Sequence, residues 1–318
     1  MCIRDSKETD EKKVSAATKV IVKGEGVASV EQGDVNYGTK PDPKAETSTN
    51  TEKTAVIEYK EASSDDTAYS QTVPTAVGNY TVRATFAETE AYGEAVATTD
   101  FSIRYLETPE PPYTLVGTKG ENGYYTSNVV VKPAKGYMIS TELNGTYVES
   151  LTIQNSQSGT VFYLRNASGE RTGALRLETI KIKKQTPKLS LENGKTYYGD
   201  SQKLVIQDDY LSQVYVNGVL QNLDGTEFVL QLGSNNGKKK YEITAVDVAG
   251  NKKTILVTVA AAWMKTGIIP EGVLVNLETG NGYKLGNGNW KVAGDSTSYS
   301  GGTEFYVKKD GSYTFGKQ

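Results

Sequence analysis

The stretch Tyr241–Val259, YEITAVDVAGNKKTILVTV, constrains the fold more than any other part of the chain. Tyr241, Ile243 and Ala245 alternate with polar or mixed neighbours, the period of a half-buried strand. Asp247-Val-Ala-Gly250-Asn251 is turn chemistry, because Asp accepts local backbone N–H bonds and Gly takes positive φ. A type I turn with Gly250 as the bulge residue places Asp247 opposite Asn251. That register pairs Ile243 with Ile255 and Tyr241 with Val257 on one face, and Thr244 with Thr254 on the other. A hairpin closing a small β-sandwich is expected, with Asp247 and Gly250 there to turn the chain.

The same elements recur upstream. Gly78-Asn79-Tyr80-Thr-Val82-Arg-Ala84 repeats the Tyr-x-apolar-x-Ala pattern, and Asp100–Ile103 takes the part of the last strand. Glu121-Asn122-Gly123-Tyr124-Tyr125 returns as Glu192-Asn193-Gly194-Lys-Thr-Tyr197-Tyr198. Tyr124 precedes Asn144-Gly145 by 20 residues (144 − 124), as Tyr197 precedes Asn217-Gly218 (217 − 197). Asn-Gly is the preferred two-residue hairpin turn, since both positions accept φ > 0. Phe162 and Leu164 stand where Ile243 and Ala245 stand, and Ile180 and Ile182 close this copy. Its turn, Asn166-Ala-Ser-Gly169-Glu170, departs from Asp247–Asn251 at both ends. Short strands with turn signals at regular spacing indicate sandwiches.

Tyr37-Gly38-x-x-Pro41, Tyr59-Lys60 and Pro74-Thr75-x-x-Gly78-x-Tyr80-Thr81-Val82-x-Ala84, with Tyr92, resemble the MBG-type immunoglobulin-like repeats of bacterial surface proteins. The terminal hairpin with its D-x-A-G-N turn resembles that of bacterial Ig-like domains. The resemblance implies structural or adhesive stalk modules and brings no active site with it. The expected fold is all-β: tandem Ig-like β-sandwich domains with a small C-terminal β module. Residues 1–18 are expected to be disordered or artefactual, and 19–104 form an MBG-type domain. A Pro-rich linker follows at 105–112, then Ig-like domains at 113–184 and 185–260, and the β module at 261–318. Strands of that module are expected at Val273–Leu277, Trp290–Val292, Phe305–Val307 and Tyr313–Phe315. Trp263 and Ile268-Ile269 are expected to lean it on the third domain, since so short a unit has a marginal core.

Composition removes several functions. The chain has 318 residues and no histidine, so Ser-His-Asp and Cys-His catalysis, HExxH zinc sites and histidine pH switches are out of reach. One cysteine, Cys2, allows neither an internal disulfide nor a cysteine metal cluster. The 35 basic and 38 acidic residues nearly cancel, which leaves no footprint for a nucleic-acid partner. No apolar run is long enough for a membrane-spanning helix, so no membrane insertion is expected. MCIRDSKETDEKK lacks the apolar core of a signal peptide, and neither a sortase-type LPxTG signal nor a terminal membrane helix precedes Gln318. MCIRDS resembles an adapter-derived translation, which would make Cys2 non-native.

The remaining site readings are few. Trp290, Tyr299 and Tyr306 sit among glycines and could offer ring faces to a glycan; strand packing is the competing reading for every tyrosine. Asp65-Asp66, Asp208-Asp209, Asp247 and Asn251 carry oxygens that suit calcium, but without the spacing of a calcium loop they read as solvated turns. Gly24-Glu-Gly26 echoes a dinucleotide loop but lacks the helix that such a loop needs. The Asn79, Asn144 and Asn166 sequons read as turn residues. No acid pair marks a catalytic cleft, and no catalytic residue, metal or cofactor is expected. The chain is expected to be a non-catalytic structural or adhesive stalk segment of a secreted or cell-surface bacterial protein, monomeric and elongated. Its partner would be a host or cell-wall glycan or protein. The alternative is a carbohydrate-binding accessory region of a larger secreted glycan-active enzyme.

Overall fold

The computed structural model describes residues 22–271, 277–291 and 296–316. The expectations for residues 1–18, for Cys2 and for most of the strand at Val273–Leu277 lie outside them. The described chain is all-β, with two single-turn 3-10 segments, Asp66–Ala68 and Ala262–Lys265, as its helical elements. It forms two compact units. Of the described residues, one gathers 22–112, 133–149 and 161–175, and the other 113–132, 150–160 and those from 176 onward.

The terminal hairpin has the register read from the sequence. Lys238–Asp247 pairs antiparallel with Lys252–Ala260, with Tyr241 opposite Val257, Ile243 opposite Ile255 and Thr244 opposite Thr254. The two threonine hydroxyls meet at 2.9 Å on the outer face. On the inner face Ile243, Ile255, Val257 and Ala245 are buried in a core with Leu204, Ile206, Val214 and Leu232. Two sheets supply that core. Lys188–Leu189, Ser201–Gln207 and Glu227–Gly233 make one. Thr196–Tyr198, Lys252–Ala260, Lys238–Asp247, Leu211–Val216 and Val219–Leu220 make the other, in that order. This is the immunoglobulin-like sandwich arrangement.

One feature recurs along the chain: a short early strand runs parallel to the last strand of its sandwich. Val35–Asn36 lies beside Ala95–Arg104. Tyr124–Tyr125 lies beside Lys181–Ile182, and Thr196–Tyr198 beside Lys252–Ala260. The first sandwich also carries the antiparallel run Val56–Glu61, Gly78–Phe86, Ala95–Arg104. Its core holds Val30, Tyr59, Tyr80, Val82, Ala84, Phe101 and Ile103. Residues 113–184 contribute to both units. Tyr113–Val116, Val129–Pro133 and Leu151–Ile153 form a three-stranded sheet, and Tyr137–Ser140 pairs with Val161–Asn166, where Phe162 and Leu164 are fully buried.

The tyrosine of the Tyr-x-apolar-x-Ala pattern has a specific reason to be tyrosine. Tyr80 Oη donates to the Ala76 carbonyl at 3.0 Å, and Tyr241 Oη donates to the Gly233 carbonyl at 2.7 Å. Each buried ring thereby pins the start of its strand to the chain upstream, as a tyrosine corner does.

Two local expectations need correcting. Asn217-Gly218 is a two-residue hairpin turn with φ of 50° and 78°, but Asn144-Gly145 is not. It sits in a longer connection between Ser140 and Val148, with Gly145 N–H bonded to the Glu142 carbonyl. Within residues 113–184 the left-handed pair is Asn122-Gly123, φ 52° and 76°. Asn79 lies inside a strand, where its Oδ1 accepts from the Ser102 hydroxyl at 2.9 Å.

The C-terminal module is a four-stranded sheet, Ile268–Ile269, Asn281–Leu285, Glu304–Val307 and Tyr313–Phe315, with a small hairpin of Asn289–Lys291 and Ser298–Ser300. Trp263, Ile269, Tyr283, Leu285, Phe305 and Val307 form its core. Trp263 and Ile269 thus fill the module itself, while Ile268 points outward. The tie to the sandwich before it runs through the Ala261 N–H, bonded to the Gly237 carbonyl at 2.7 Å, and the Lys238–Glu278 ion pair at 3.1 Å.

Candidate functional site: the terminal turns as joints

The two terminal turns that differ in sequence are built alike. Asp247 N–H bonds the Asn251 carbonyl at 3.1 Å, and Gly250 N–H bonds the Asp247 carbonyl at 3.0 Å. Asn166 and Glu170, with Gly169, repeat both bonds at 3.0 and 3.1 Å. Gly250 and Gly169 hold φ of 83° and 92°, a region that a Cβ makes costly. Across the mouth of each turn an amide faces a carboxylate. Asn251 Nδ2 donates to Asp247 Oδ2 at 2.8 Å, and Asn166 Nδ2 donates to Glu170 Oε2 at 2.6 Å. The two departures seen in the sequence are therefore reciprocal, and the donor–acceptor pair survives with its ends exchanged.

The carboxylate of each pair also reaches a segment outside the turn. Glu170 Oε1 accepts from Asn36 Nδ2 at 3.0 Å. Around it, Arg171 N–H bonds the Tyr37 carbonyl at 2.9 Å, and Leu106 N–H bonds the Arg171 carbonyl at 2.8 Å. Asn144 Oδ1 accepts from Tyr37 Oη at 3.0 Å and from Arg171 Nη1 at 2.9 Å. The Arg171 guanidinium lies 5.5 Å from the Tyr37 ring centroid, and Tyr105 packs on Tyr37 at 5.7 Å. A Cβ on Gly38 would come within 2.2 Å of the Gly169 carbonyl oxygen, so Gly is required there. The start of the Pro-rich segment is thus hydrogen-bonded in place at Leu106.

The second joint is ionic and more deeply buried. Lys183 Nζ donates to the Gln185 carbonyl at 2.8 Å and to Asp208 Oδ2 at 2.8 Å, and stands 3.3 Å from Asp247 Oδ2. Its three hydrogens face three acceptors. The side chains of Asp208 and Asp247 are 6% and 0% exposed, and that of Lys183 is 15% exposed. Burial alone lowers a lysine pKa; here the bonds and charges of Asp208 and then Asp247 outweigh burial and hold Lys183 above its ordinary value. Asp247 Oδ1 also caps the Ala249 and Asn251 N–H groups at 2.9 Å each. Asn251 spends its second amide hydrogen on the Lys183 carbonyl at 2.8 Å. From the neighbouring sandwich, Glu121 N–H bonds the Ala249 carbonyl at 2.9 Å, and Asn122 Nδ2 bonds the Val248 carbonyl at 2.8 Å. A Cβ on Gly120 would sit 2.3 Å from the Ala249 oxygen.

Asp208 and Asp247 are therefore not solvated turn residues, as the sequence suggested. The cation they face is the ammonium of Lys183. In the second joint the charged groups are engaged with one another, whereas in the first Glu170 is held by the amides of Asn36 and Asn166, and Arg171 by Asn144. What such an arrangement can do is fix the geometry between consecutive segments. Lys183 and Glu170 escaped the sequence reading. The exchanged amide and carboxylate at the ends of the two turns could have pointed to Glu170; no sequence signal marks Lys183.

The three aromatic residues singled out in the C-terminal module fall on different surfaces. Trp290 and Tyr299 are directly opposite each other in the small hairpin and pack on the module's core. Tyr299 stacks on Phe315 with centroids 3.7 Å apart, and Trp290 Nε1 donates to the Gly286 carbonyl at 3.1 Å. Tyr306 follows buried Phe305 in its strand, so it projects from the opposite face of the sheet, across from Gly282. Of the sequons, Asn144 and Asn166 belong to the first joint. Among the described residues no group of three or more Asp, Glu, His or Cys side chains is placed to hold a metal ion.

No family model matches the chain, and no curated protein is found similar to it. Solved structures of tandem domains do align with it. The three N-terminal domains of the Highly Immunogenic Outer Capsid protein of bacteriophage RB49 are 11% identical, with 74% of this chain and 99% of that one covered, at a TM-score of 0.30. The sialic acid binding region of a Streptococcus sanguinis adhesin is 13% identical over 92% of this chain and 96% of its own, at 0.23. The N-terminal four Ig domains of Dscam1 are 9% identical over 74% and 72%, also at 0.23. At scores this low the likeness carries no functional argument.

Proposed function

We propose that the chain is a non-catalytic structural or adhesive segment of a secreted or cell-surface bacterial protein, with terminal turns that hydrogen-bond to the segments before them. The observation that carries this reading is the recurrence of one joint in two chemistries. Each time, a terminal turn closed by an amide–carboxylate pair grips the early strand region of the sandwich before it, at Tyr37-Gly38 and at Gly120–Asn122. Parallel pairing of an early strand with the last strand supports the same role. Force applied at opposite ends of such a pair loads its hydrogen bonds together in shear, whereas an antiparallel hairpin opens bond by bond. The absence of histidine from the sequence and the mutual engagement of the buried charges favour a binding or structural role over catalysis.

Pulling the intact chain by its ends in single-molecule force spectroscopy tests this reading. Discrete unfolding peaks, one per sandwich, are expected; smooth extension with no resolvable peak sinks it. A second reading, a carbohydrate-binding accessory region, is favoured by one observation: the open sheet face around Tyr306. Glycan binding by the intact chain separates it from a bare stalk.

A further inference from the structure

Two cavities adjoin where the third sandwich meets the C-terminal module. One, about 250 Å³, is lined by Tyr198, Lys238, Ala260, Met264 and Glu278 among others; the second, about 500 Å³, is lined by Tyr306, Lys284, Glu304 and Thr266. They share Gly267, Gly282 and Tyr283, so they adjoin as one groove, with Tyr198 lining the smaller part and Tyr306 the larger. The groove lies on the outer face of the four-stranded sheet. Tyr283, Leu285, Phe305 and Val307 turn inward to the core, which leaves Gly282, Lys284, Glu304 and Tyr306 on the outside.

From this we infer that the groove binds an uncharged oligosaccharide, with Tyr198 and Tyr306 as the two stacking platforms. The inference rests on the adhesive reading above and names its ligand class. Three observations select that class. First, Tyr306 stands opposite Gly282, and Gly280 lies beside its hydroxyl, so no side chain at those two positions covers the ring. Tyr198 is half exposed, at 50%. Aromatic faces of this kind suit the C–H face of a pyranose. Second, each cavity carries one cation and one anion. Lys238 pairs with Glu278 at 3.1 Å in the smaller, and Lys284 is the cross-strand partner of Glu304 in the larger. A donor beside an acceptor at each end matches vicinal hydroxyls, and the cancelled charge gives no advantage to sialylated, sulfated or amino sugars. Third, the larger cavity, about 500 Å³, is of the size used for small-ligand sites, and the smaller one beside it offers room for a further sugar ring.

The test is binding of the intact chain to an immobilised panel of neutral and acidic oligosaccharides, followed by calorimetry with the best neutral hit. Tyr198→Ala and Tyr306→Ala should each weaken that binding by about tenfold. Gly282→Val should abolish it by filling the shared floor. Gly282 has no positive φ, and its Cβ would meet its nearest neighbours only at 4.0 Å, so this variant tests occlusion without backbone strain. Tyr313→Ala, on an exposed tyrosine outside the lining of both cavities, should leave binding unchanged. Retained affinity in Tyr198→Ala, Tyr306→Ala and Gly282→Val overturns the groove but leaves an adhesive role standing. Selective binding of acidic glycans overturns the ligand class. Binding to no glycan overturns the groove, while the stalk reading stands or falls separately by the force measurement.

Discussion

Replacing Lys183 by methionine tests the second joint most sharply. The substitution keeps most of the apolar stem and removes the ammonium that stands between two buried carboxylates. Breaking a buried ion pair from one side costs about 3–5 kcal/mol, because the partner is left charged and uncompensated. Asp247 keeps its bonds from Ala249 N–H, Asn251 N–H and Asn251 Nδ2, and Asp208 keeps one from Tyr210 N–H at 2.8 Å. Those donors soften the loss, so the lower end of the range, about 3 kcal/mol, is expected. The comparison is Lys195→Met. Lys195 makes an equally short contact, 2.7 Å to Glu192, but the two side chains are 48% and 73% exposed. An exposed pair of this kind contributes about 0–1 kcal/mol. A chain of several domains does not unfold in one step, so hydrogen exchange over Tyr241–Val259 is the proper assay. Lys183→Met should speed exchange there by about a hundredfold, and 1 M salt should not erase the difference, because a buried pair is weakly screened. Lys195→Met should leave exchange within a few-fold of wild type. Equal behaviour of the two variants would refute the claim that the buried cluster holds the joint.

Further outcomes follow from the same geometry. Glu170→Gln keeps the shape of the first joint but removes the charged acceptor shared by Asn36 and Asn166, and should cost about 1–2 kcal/mol in the exchange of Asn166–Arg171. Gly120→Ala, at a position without positive φ, should open the second joint by contact with the Ala249 oxygen alone and expose the Glu121 N–H to exchange. By contrast Gly123→Ala, on an open left-handed position, should cost only about 1–2 kcal/mol and leave the joint closed. Because Lys183 has a folded-state pKa above its unfolded value, its contribution is complete below the ordinary lysine value near 10.5 and is lost as pH rises through the raised one. Alkaline titration followed by exchange in the third sandwich should therefore show a loss above that pH which Lys183→Met lacks. In the C-terminal module Trp290→Ala should destabilise by about 2 kcal/mol, since its half-buried ring packs on the core, while Tyr306→Ala should cost less than about 1 kcal/mol. Thermal unfolding of the two variants compares them directly.

The terminal hairpin was legible because its information is local. Alternation sets the faces, Gly250 sets the turn, and the two together leave one register that buries Ile243 with Ile255. The tyrosine corners were half legible: the pattern was visible, but the acceptors at Ala76 and Gly233 depend on how the chain returns. The joints were not legible, since Lys183 and Asp247, or Asn36 and Glu170, meet only once separate sandwiches are folded, and periodicity says nothing of such contacts. Turn chemistry alone made Asp247 look solvated, whereas its side chain is buried with a lysine from outside the hairpin. The aromatic trio divides for a simpler reason. Glycine neighbours suggested open rings at Trp290 and Tyr299, yet cross-strand pairing turned both onto the core. The alternation Phe305-x-Val307 already implied that Tyr306 faces the other way.

Three backbone amides test the central claim directly: Glu121 N–H on the Ala249 carbonyl, Arg171 N–H on the Tyr37 carbonyl, and Leu106 N–H on the Arg171 carbonyl. Each belongs to one segment and bonds another across a joint. Amide exchange resolved at these residues in the intact chain should show protection comparable to Ile243 and Val257 inside the terminal hairpin. Exchange at the rate of free loop amides would mean that the turns do not grip their neighbours, and the account of a jointed stalk would be wrong.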